Sequence, residues 1–381
     1  MTQHSILAPS GAGIWSHCGG YPMIAPMIPD QPTDDKRQGE ATHWIGEGML
    51  RNRLCDVSGY LGLQAPNGVI VTEEMTKCAD IYARRVFRMV NPNETIEVER
   101  TMLAKRIHEL CFGTPDVFQV VGNHIYLADY KHGHRSVDAF WNDQIIIYAT
   151  EVMDAYGLHD DAVTVHAEII QPRCYDHKGV VRGWKFKGSD IRGRVNQLHA
   201  AAADAVSGNA PFVPGTHCRD CDGKYLCPAN QQYVAQAVDL AHSAAPIEIT
   251  NERLGYEIRV LNDAEAAIKY RRESLEDEAM GRIRSGKQIG GVSIGHTRGS
   301  TDWIVPPETV FASGDALGVE LRKPPTPITP GQAQKLCKDN ADMLTPLFTK
   351  KPGRARIEID DPTETFRVFS DSTYYLGEDD V

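Results

Sequence analysis

No uninterrupted apolar run in this 381-residue chain approaches the roughly 20 residues that a membrane-spanning helix needs. Met1 to Ser16 shows no basic start followed by a long apolar core, so no secretory signal is expected and the protein is expected in the cytoplasm. Internal repeats are missing as well. Positive charge is in deficit, with 40 Lys and Arg against 51 Asp and Glu and a net charge of −11. That balance argues against a surface that coats nucleic acid throughout, while leaving room for a local basic groove. What is present is ordinary: 41% hydrophobic and 24% charged residues exclude wholesale disorder and fibrous repeats. The length suits one large domain with an appendage, or two domains, around a core that needs no disulfide staples.

The hydrophobic period changes along the chain. Three- and four-residue spacing predicts a helix over 39–54, with Trp44, Ile45, Met49 and Leu54 on its buried side, and another over 73–90 carrying Met75, Ala79, Tyr82, Val86 and Met89. Alternation predicts strands over 95–100, 116–121, 124–129 and 162–171, the second and third joined by a turn at Gly122-Asn123. Further helices are expected from about 137 to 156 and over 191–207. That order describes an α/β core, a small mixed sheet flanked by helices, over residues 1–240. A helical and hairpin C-terminal extension is expected over 241–350. Within it, 251–285 reads as a long solvated helix that could also bind a partner, 290–306 as a hairpin and 324–330 as a linker. From Ile357 on, eight acids face one base, Arg367, so 351–381 is expected to be a flexible acidic tail.

The most informative stretch is GTPDVFQVVGNHIYLADYKHG, Gly113 to Gly133. It places Asp116 at the start of one strand and Asp129 at the end of the next, with Lys131 two residues further. A tight turn brings both carboxylates to one end of the sheet, and residues i and i+2 of a strand share a face, so Asp129 and Lys131 look into one cavity. Such an oxygen-rich pocket suits Mg²⁺ or Mn²⁺. A lysine beside it can hold an attacking water or stabilise developing phosphorane charge, and the chemistry implied is metal-assisted phosphodiester hydrolysis. D-x-K alone occurs in many proteins, but here it has company. Gln144 and Tyr148 lie one turn apart on the following helix. His43 and Glu47 lie one turn apart on an earlier one, after Gly39, and a neutral imidazole there can ligate a metal.

Of the nine cysteines, Cys55, Cys78, Cys111, Cys174 and Cys337 sit singly and read as small buried hydrophobes. Cys218, Cys221 and Cys227 form C-x2-C-x5-C ahead of Pro228, which in a reducing compartment suggests metal or iron–sulfur ligation before disulfides. Cys18, in IWSHCGGYP, is available as a fourth ligand. His17 and His217 adjoin cysteines, so a Cys₃His zinc site is chemically reasonable too.

In this order, G-x3-H-x3-E, G-x-P-D, D-x-K and Q-x3-Y resemble the PD-(D/E)xK nuclease superfamily, specifically the RecB-type branch that includes the nuclease domains of AddAB helicase–nucleases and the CRISPR adaptation nucleases. The resemblance implies a restriction-endonuclease-like core and metal ligation by His43, Asp116 and Asp129. It also implies catalytic assistance by Lys131, with Gln144 and Tyr148 ordering the site and touching DNA. The second acid is Asp here, where Glu is commoner in that branch. One cysteine ahead of these motifs and three behind them resemble the branch's iron–sulfur members, in which a [4Fe–4S] cluster staples the ends of the domain. Cys18, Cys218, Cys221 and Cys227 are the implied ligands, with zinc as the alternative. Closing so long a loop would strongly constrain the unfolded chain. EIIQPR at 168–173, FVPGTHCRDC at 212–221 and LTPLFTKKPGRARIEI at 344–359 resemble a phage-encoded nuclease family. That implies a DNA exonuclease in phage replication or recombination, working in the host cytoplasm. A phage single-stranded-DNA-binding, recombination or replication protein would be its partner.

DNA contacts are expected from RGWKFKGSDIRGR, 182–194, where Arg182, Trp184, Lys185, Lys187, Arg192 and Arg194 combine phosphate neutralisation with stacking. Read blandly, the same stretch is a solvated loop and a helix start. Arg84, Arg85, Arg88 and 350–356 are weaker candidates. Two other classes remain open. One is a non-catalytic DNA-binding scaffold on a nuclease fold, acting through 251–285 and the acidic tail. The other is a zinc-ribbon adaptor, which would leave 113–148 unexplained.

Overall fold

A computed structural model describes residues 5–28, 34–175, 178–242, 249–295, 308–309, 312 and 372–381. The linker at 324–330, the basic stretch 350–356, most of the acidic segment and most of the 290–306 hairpin lie outside the described residues. Two compact units divide the chain, 1–278 with 361–381 and 279–360. The first holds the candidate site.

Two single turns, α1 (Ala12–Trp15) and α2 (Tyr21–Ile24), precede the helices α3 (Asp34–Arg51) and α4 (Glu73–Met89). Short strands β1 (Glu97–Val98), β2 (Met102–Leu103) and β3 (Phe112–Gly113) lead into the hairpin of β4 (Val117–Val121) and β5 (His124–Tyr130). Then come α5 (Asp143–Tyr156), β6 (Thr164–Ile170), β7 (Val181–Lys187), α6 (Gly188–Val206), α7 (Pro228–His242), α8 (Asn251–Arg284) and β8 (Thr373–Leu376). Six strands form one mixed sheet in the order β1-β4-β5-β6-β7-β8, with β2 and β3 paired separately. Only β5 and β6 run parallel. A parallel pair cannot be closed by a hairpin, so α5 makes the crossover between them.

Strand alternation sorts the core into two layers. Ile125 and Leu127 of β5 point toward α5 and α6 with Phe118, Val165, Ile169 and Trp184. Ala128 and Tyr130 point toward α3 and α4 with Val117, Ile170 and Val181. The sheet is thus flanked by helices on both faces, as the alternating order of periods requires. Among the described residues no helix is long and apolar enough to cross a membrane. Helix α8 buries only Ala264, Ala267 and Ser274, in keeping with a long solvated helix.

Three differences from the sequence expectations have local causes. Helix α5 begins at 143, not 137, because Asn142 caps it, accepting from the Gln144 and Ile145 amides, and Trp141 (φ 51°) has left-handed backbone that no helix can continue. Residues 181–187 are a full strand rather than a loop, with Trp184 and Phe186 inward and Lys185 and Lys187 outward. The acidic tail is not free throughout. Thr373–Leu376 closes the sheet as an edge strand on β7. There Tyr374 crosses Gly183 so closely that a Cβ on that glycine would fall 2.1 Å from the ring.

Candidate metal centre

The pairing Val117↔Ala128 puts Asp116 and Asp129 side by side at one rim of the sheet. Asp116 accepts the Tyr130 amide through Oδ2 at 2.6 Å, which fixes the carboxylate, and its Oδ1 lies 3.1 Å from His43 Nε2 on α3. The same Nε2 lies 3.2 Å from Glu99 Oε1. Among the described residues, His43, Glu99 and Asp116 form the one group of three such ligands whose donor atoms all lie within 4.8 Å of one another.

Asp129 is oriented differently. Its Oδ2 sits 2.9 Å from Lys131 Nζ, and its Oδ1 accepts from Gln144 Nε2 at 3.3 Å. Lys131 donates to Gln144 Oε1 at 2.9 Å, and Gln144 Nε2 also donates toward Tyr148 Oη at 3.0 Å. The one-turn spacing of Gln144 and Tyr148 therefore produces a chain of contacts from Asp129 and Lys131 onto α5. The structure brings together all six residues singled out for this site. Glu99, which the sequence reading did not single out, joins His43 and Asp116 in the close group, while Asp129 contacts Lys131 and Gln144 beside it.

Sequence spacing does not mark Glu99. It follows β1 with φ 53°, a left-handed conformation that a side chain with a Cβ seldom adopts, and it breaks the alternation that predicts a strand to residue 100. That turn swings the carboxylate toward His43, where the buried Oε1 forms an ion pair without hydrogen-bond geometry. Strained backbone of this kind concentrates at functional sites. Gly113, the glycine of G-x-P-D, has a packing role: a Cβ there would lie 2.4 Å from Pro9 and 3.0 Å from Tyr148, so only glycine lets the N-terminal segment close over α5.

The electrostatics are those of crowded anions. Burial pushes Glu99 up to about 7, with His43 opposing and Asp116 and Glu47 adding. Burial likewise lifts Asp129 to about 6, against the pull of Lys131. For His43, burial disfavours the cation, yet Asp116, Glu99 and Asp129 outweigh it and raise the pKa to about 9. Burial would raise Asp116 too, but His43, Lys131 and the Tyr130 amide hold it below the ordinary carboxylate value. Lys131 stays firmly charged because Asp129 and Asp116 overcome its desolvation. Three carboxylates in a small volume, held together by one imidazole and one ammonium group, fit a divalent cation.

The four cysteines expected to share a ligand come from distant parts of the chain. The Gly20 amide bonds to the Pro211 carbonyl (3.2 Å), bringing Cys18 to the segment after α6. Cys18, Cys218, Cys221 and Cys227 are all buried, and Cys221 is pushed up to about 12 by burial and by the fields of Cys218, Cys18 and Cys227. Amides of Val213 and Gly215 point at the sulfurs of Cys18 and Cys218, each at 3.4 Å. No three of these thiols fall within the 4.8 Å that gathers the His43 group. A single tetrahedral zinc would need sulfurs roughly 3.8 Å apart, from a Zn–S bond of about 2.3 Å. His17 and His217 stack on each other (centroids 5.6 Å) instead of converging with the thiols.

The expected DNA-contact residues divide sharply. Arg182 is fully buried and donates to the Val137 and Gly179 carbonyls and to Gln171 Oε1, and Trp184 lies in the core against Phe186. Neither can touch DNA, which corrects that expectation: the strand they occupy turns them inward. Arg194 is held in a two-pronged pair by Asp143, and Arg192 is paired with Asp160 and Asp161. Lys185 and Lys187 alone of the six are exposed with no carboxylate partner among the described residues. Of the weaker candidates, Arg85 is committed to the buried Glu168.

These features define a mixed α/β protein with a histidine–carboxylate group at one sheet rim. A family model described as a protein of unknown function (DUF2800) matches residues 4–364, and the chain belongs to that family.

Proposed function

We propose that the protein is a Mg²⁺- or Mn²⁺-dependent deoxyribonuclease on a PD-(D/E)xK-type core of the RecB branch, an exonuclease serving phage DNA replication or recombination. The observation that carries this reading is the junction of the His43–Glu99–Asp116 group with the Asp129–Lys131–Gln144–Tyr148 chain at one rim of the sheet. A cation held by His43, Glu99 and Asp116, with Asp129 beside it, would supply Lewis acidity and a more acidic bound water. Lys131 brings a fixed positive charge to the same cavity, aimed where charge grows on a phosphate. Gln144 locks Lys131 and Asp129 relative to one another, and Tyr148 holds Gln144.

The test is degradation of linear DNA labelled at its 5′ or 3′ end, with each divalent metal. Activity that requires Mg²⁺ or Mn²⁺ and vanishes in folded Asp116→Ala and Lys131→Ala proteins is the expected result. A folded wild type that cuts no DNA under any of these conditions refutes it.

We propose that Cys18, Cys218, Cys221 and Cys227 hold a [4Fe–4S] cluster, with zinc as the alternative; in support, all four are buried and the fields of Cys218, Cys18 and Cys227 act on Cys221. Amide-to-sulfur hydrogen bonds are supporting interactions that such a site uses. Absorption and iron analysis of anaerobically purified protein check this; a colourless protein with stoichiometric zinc would exclude the cluster.

A second reading has its own observation. Leu254, Leu261, Ile268 and Leu275 of α8 are exposed at seven-residue intervals, a face that a scaffold could offer to a partner helix. A scaffold would bind DNA equally well without metal and cut nothing.

A further inference from the structure

Helix α4 covers only part of the sheet face on its side. Near its C-terminus Arg85 is bound to Glu168 on that face and Val86 is buried in the core, and the helix ends at Met89. Beyond Glu168 the same face of β5, β6 and β7 continues without a covering helix among the described residues, and His124, Lys185 and Lys187 are exposed there. In register there, Tyr126 pairs with His166 and His166 with Lys185, while His124 pairs with Thr164 and Thr164 with Lys187.

Two rows of three side chains therefore stand on open sheet. The Tyr126 and His166 rings stack at 4.8 Å and 14°, His124 lies 6.4 Å from Tyr126 at 27°, and His124 Nδ1 is 3.3 Å from His166 Nε2. Lys185 and Lys187 flank the rings, exposed, with no carboxylate partner among the described residues. The one carboxylate next along β6 on this face, Glu168, is neutralised by Arg85. The neighbouring Gln119 of β4 is spent on the Asn91 and Glu94 carbonyls.

A sheet face that were merely solvated would need no parallel rings, and one that served packing would not carry two unpaired ammonium groups. In a chain of net charge −11, a patch with aromatic rings, cations and, among the described residues, no free acid is complementary to one kind of ligand. That ligand has flat bases and a phosphate backbone.

We infer that His124, Tyr126, His166, Lys185 and Lys187 form a platform that binds a single-stranded nucleic-acid segment, the lysines on phosphates and the ring stack on bases. The platform deepens the nuclease reading by naming the surface that holds a strand away from the metal centre. His124 and Asp129 sit near opposite ends of β5, five residues or about 17 Å apart at the rise of an extended strand. Bases are reached by stacking here, which tolerates any sequence, and the expected preference is for unpaired over duplex DNA.

The experiment is fluorescence anisotropy of a labelled oligothymidylate of about 20 nucleotides with the full chain in EDTA, so that binding is read without cleavage. The double variant Lys185→Glu/Lys187→Glu should weaken binding by about tenfold or more and reduce the salt slope by roughly 1.4, or about 0.7 for each single-strand phosphate no longer neutralised. Tyr126→Ala and His166→Ala should each weaken it by about fivefold or more, and Tyr126→Phe should keep wild-type affinity because the ring face is retained. Melting temperature and its rise with Mn²⁺ report that each variant is folded with an intact metal centre. Should an aromatic variant not fold, the exposed lysines still decide the matter. Folded variants that bind within about twofold of wild type overturn the platform, even if the protein cuts DNA. Binding that depends on these residues in a protein that cuts nothing retires the nuclease reading and leaves the platform standing.

Discussion

Glu151 offers a quantitative test of how the core is held together. It lies on α5 three residues beyond Tyr148, fully buried, and neither carboxylate oxygen has a hydrogen-bond partner within ordinary bonding geometry. Burial lifts its pKa from 4.5 to about 9; the Gly113 amide opposes this and Asp154 adds to it. The other titratable groups facing it, Cys111 and Tyr148, are themselves raised, first by their own burial. The folded protein therefore keeps a proton on Glu151 between pH 4.5 and about 9, where the unfolded chain has lost it.

Stability linked to this proton is fully present below pH 4.5 and is lost as pH rises toward 9. At roughly 1.4 kcal/mol per pH unit, the loss at pH 7 is on the order of 3 kcal/mol. Glu151→Gln has the same shape and never ionises, so it should be more stable than wild type by about that amount at pH 7 and nearly equal to it at pH 4.5. The corresponding rise in melting temperature at neutral pH is roughly 4 °C for a chain of this length. Thermal melts followed by circular dichroism across pH 5 to 8.5 measure both quantities, at about one pH unit per step. If the variant gains nothing at pH 7, or its gain does not grow with pH, Glu151 is not buried as a protonated acid.

Two further outcomes follow from the site and the sheet edge. Glu99→Gly relieves left-handed strain worth about 1–2 kcal/mol, partly offset by glycine's extra unfolded-state entropy of about 0.5–1 kcal/mol, and also removes one of the crowded carboxylates. Its melting temperature should rise while its stabilisation by Mn²⁺ shrinks, as measured by differential scanning fluorimetry with and without the ion; a lower melting temperature would show that Glu99 is unstrained. Arg85→Ala strands the buried Glu168 carboxylate with only the Tyr374 hydroxyl, and should cost roughly 3–5 kcal/mol in urea unfolding. Arg85→Met/Glu168→Gln should recover most of that loss, and a single variant as stable as wild type would rule out a buried ion pair.

Local spacing already contained much of the site. His43, Gln144 and Tyr148 on helices, and Asp129 with Lys131 at a strand end, are related to their neighbours by the periods of helix and strand. Those periods place each on the correct face. The hairpin through Gly122-Asn123 places Asp116 beside Asp129 because a two-residue turn permits little other pairing. The α/β order and the solvated character of 251–284 were legible for the same reason: each depends on side chains within a few turns of one another.

What spacing could not reach depended on where separate elements came to rest. Glu99 joins His43 through one left-handed residue after a two-residue strand, and no period announces such a turn. Arg182 and Trp184 look basic and aromatic in sequence, yet pairing with β6 on one edge and β8 on the other turns both into the core and leaves Lys185 and Lys187 outside. The C-terminal residues 373–376, which their acidic surroundings mark as tail, pair with a strand almost 200 positions earlier. Composition and period are short-range properties, while burial is decided by which surfaces the whole chain can bring together. Only the assembled sheet determined which charges would be sealed in and which would meet solvent.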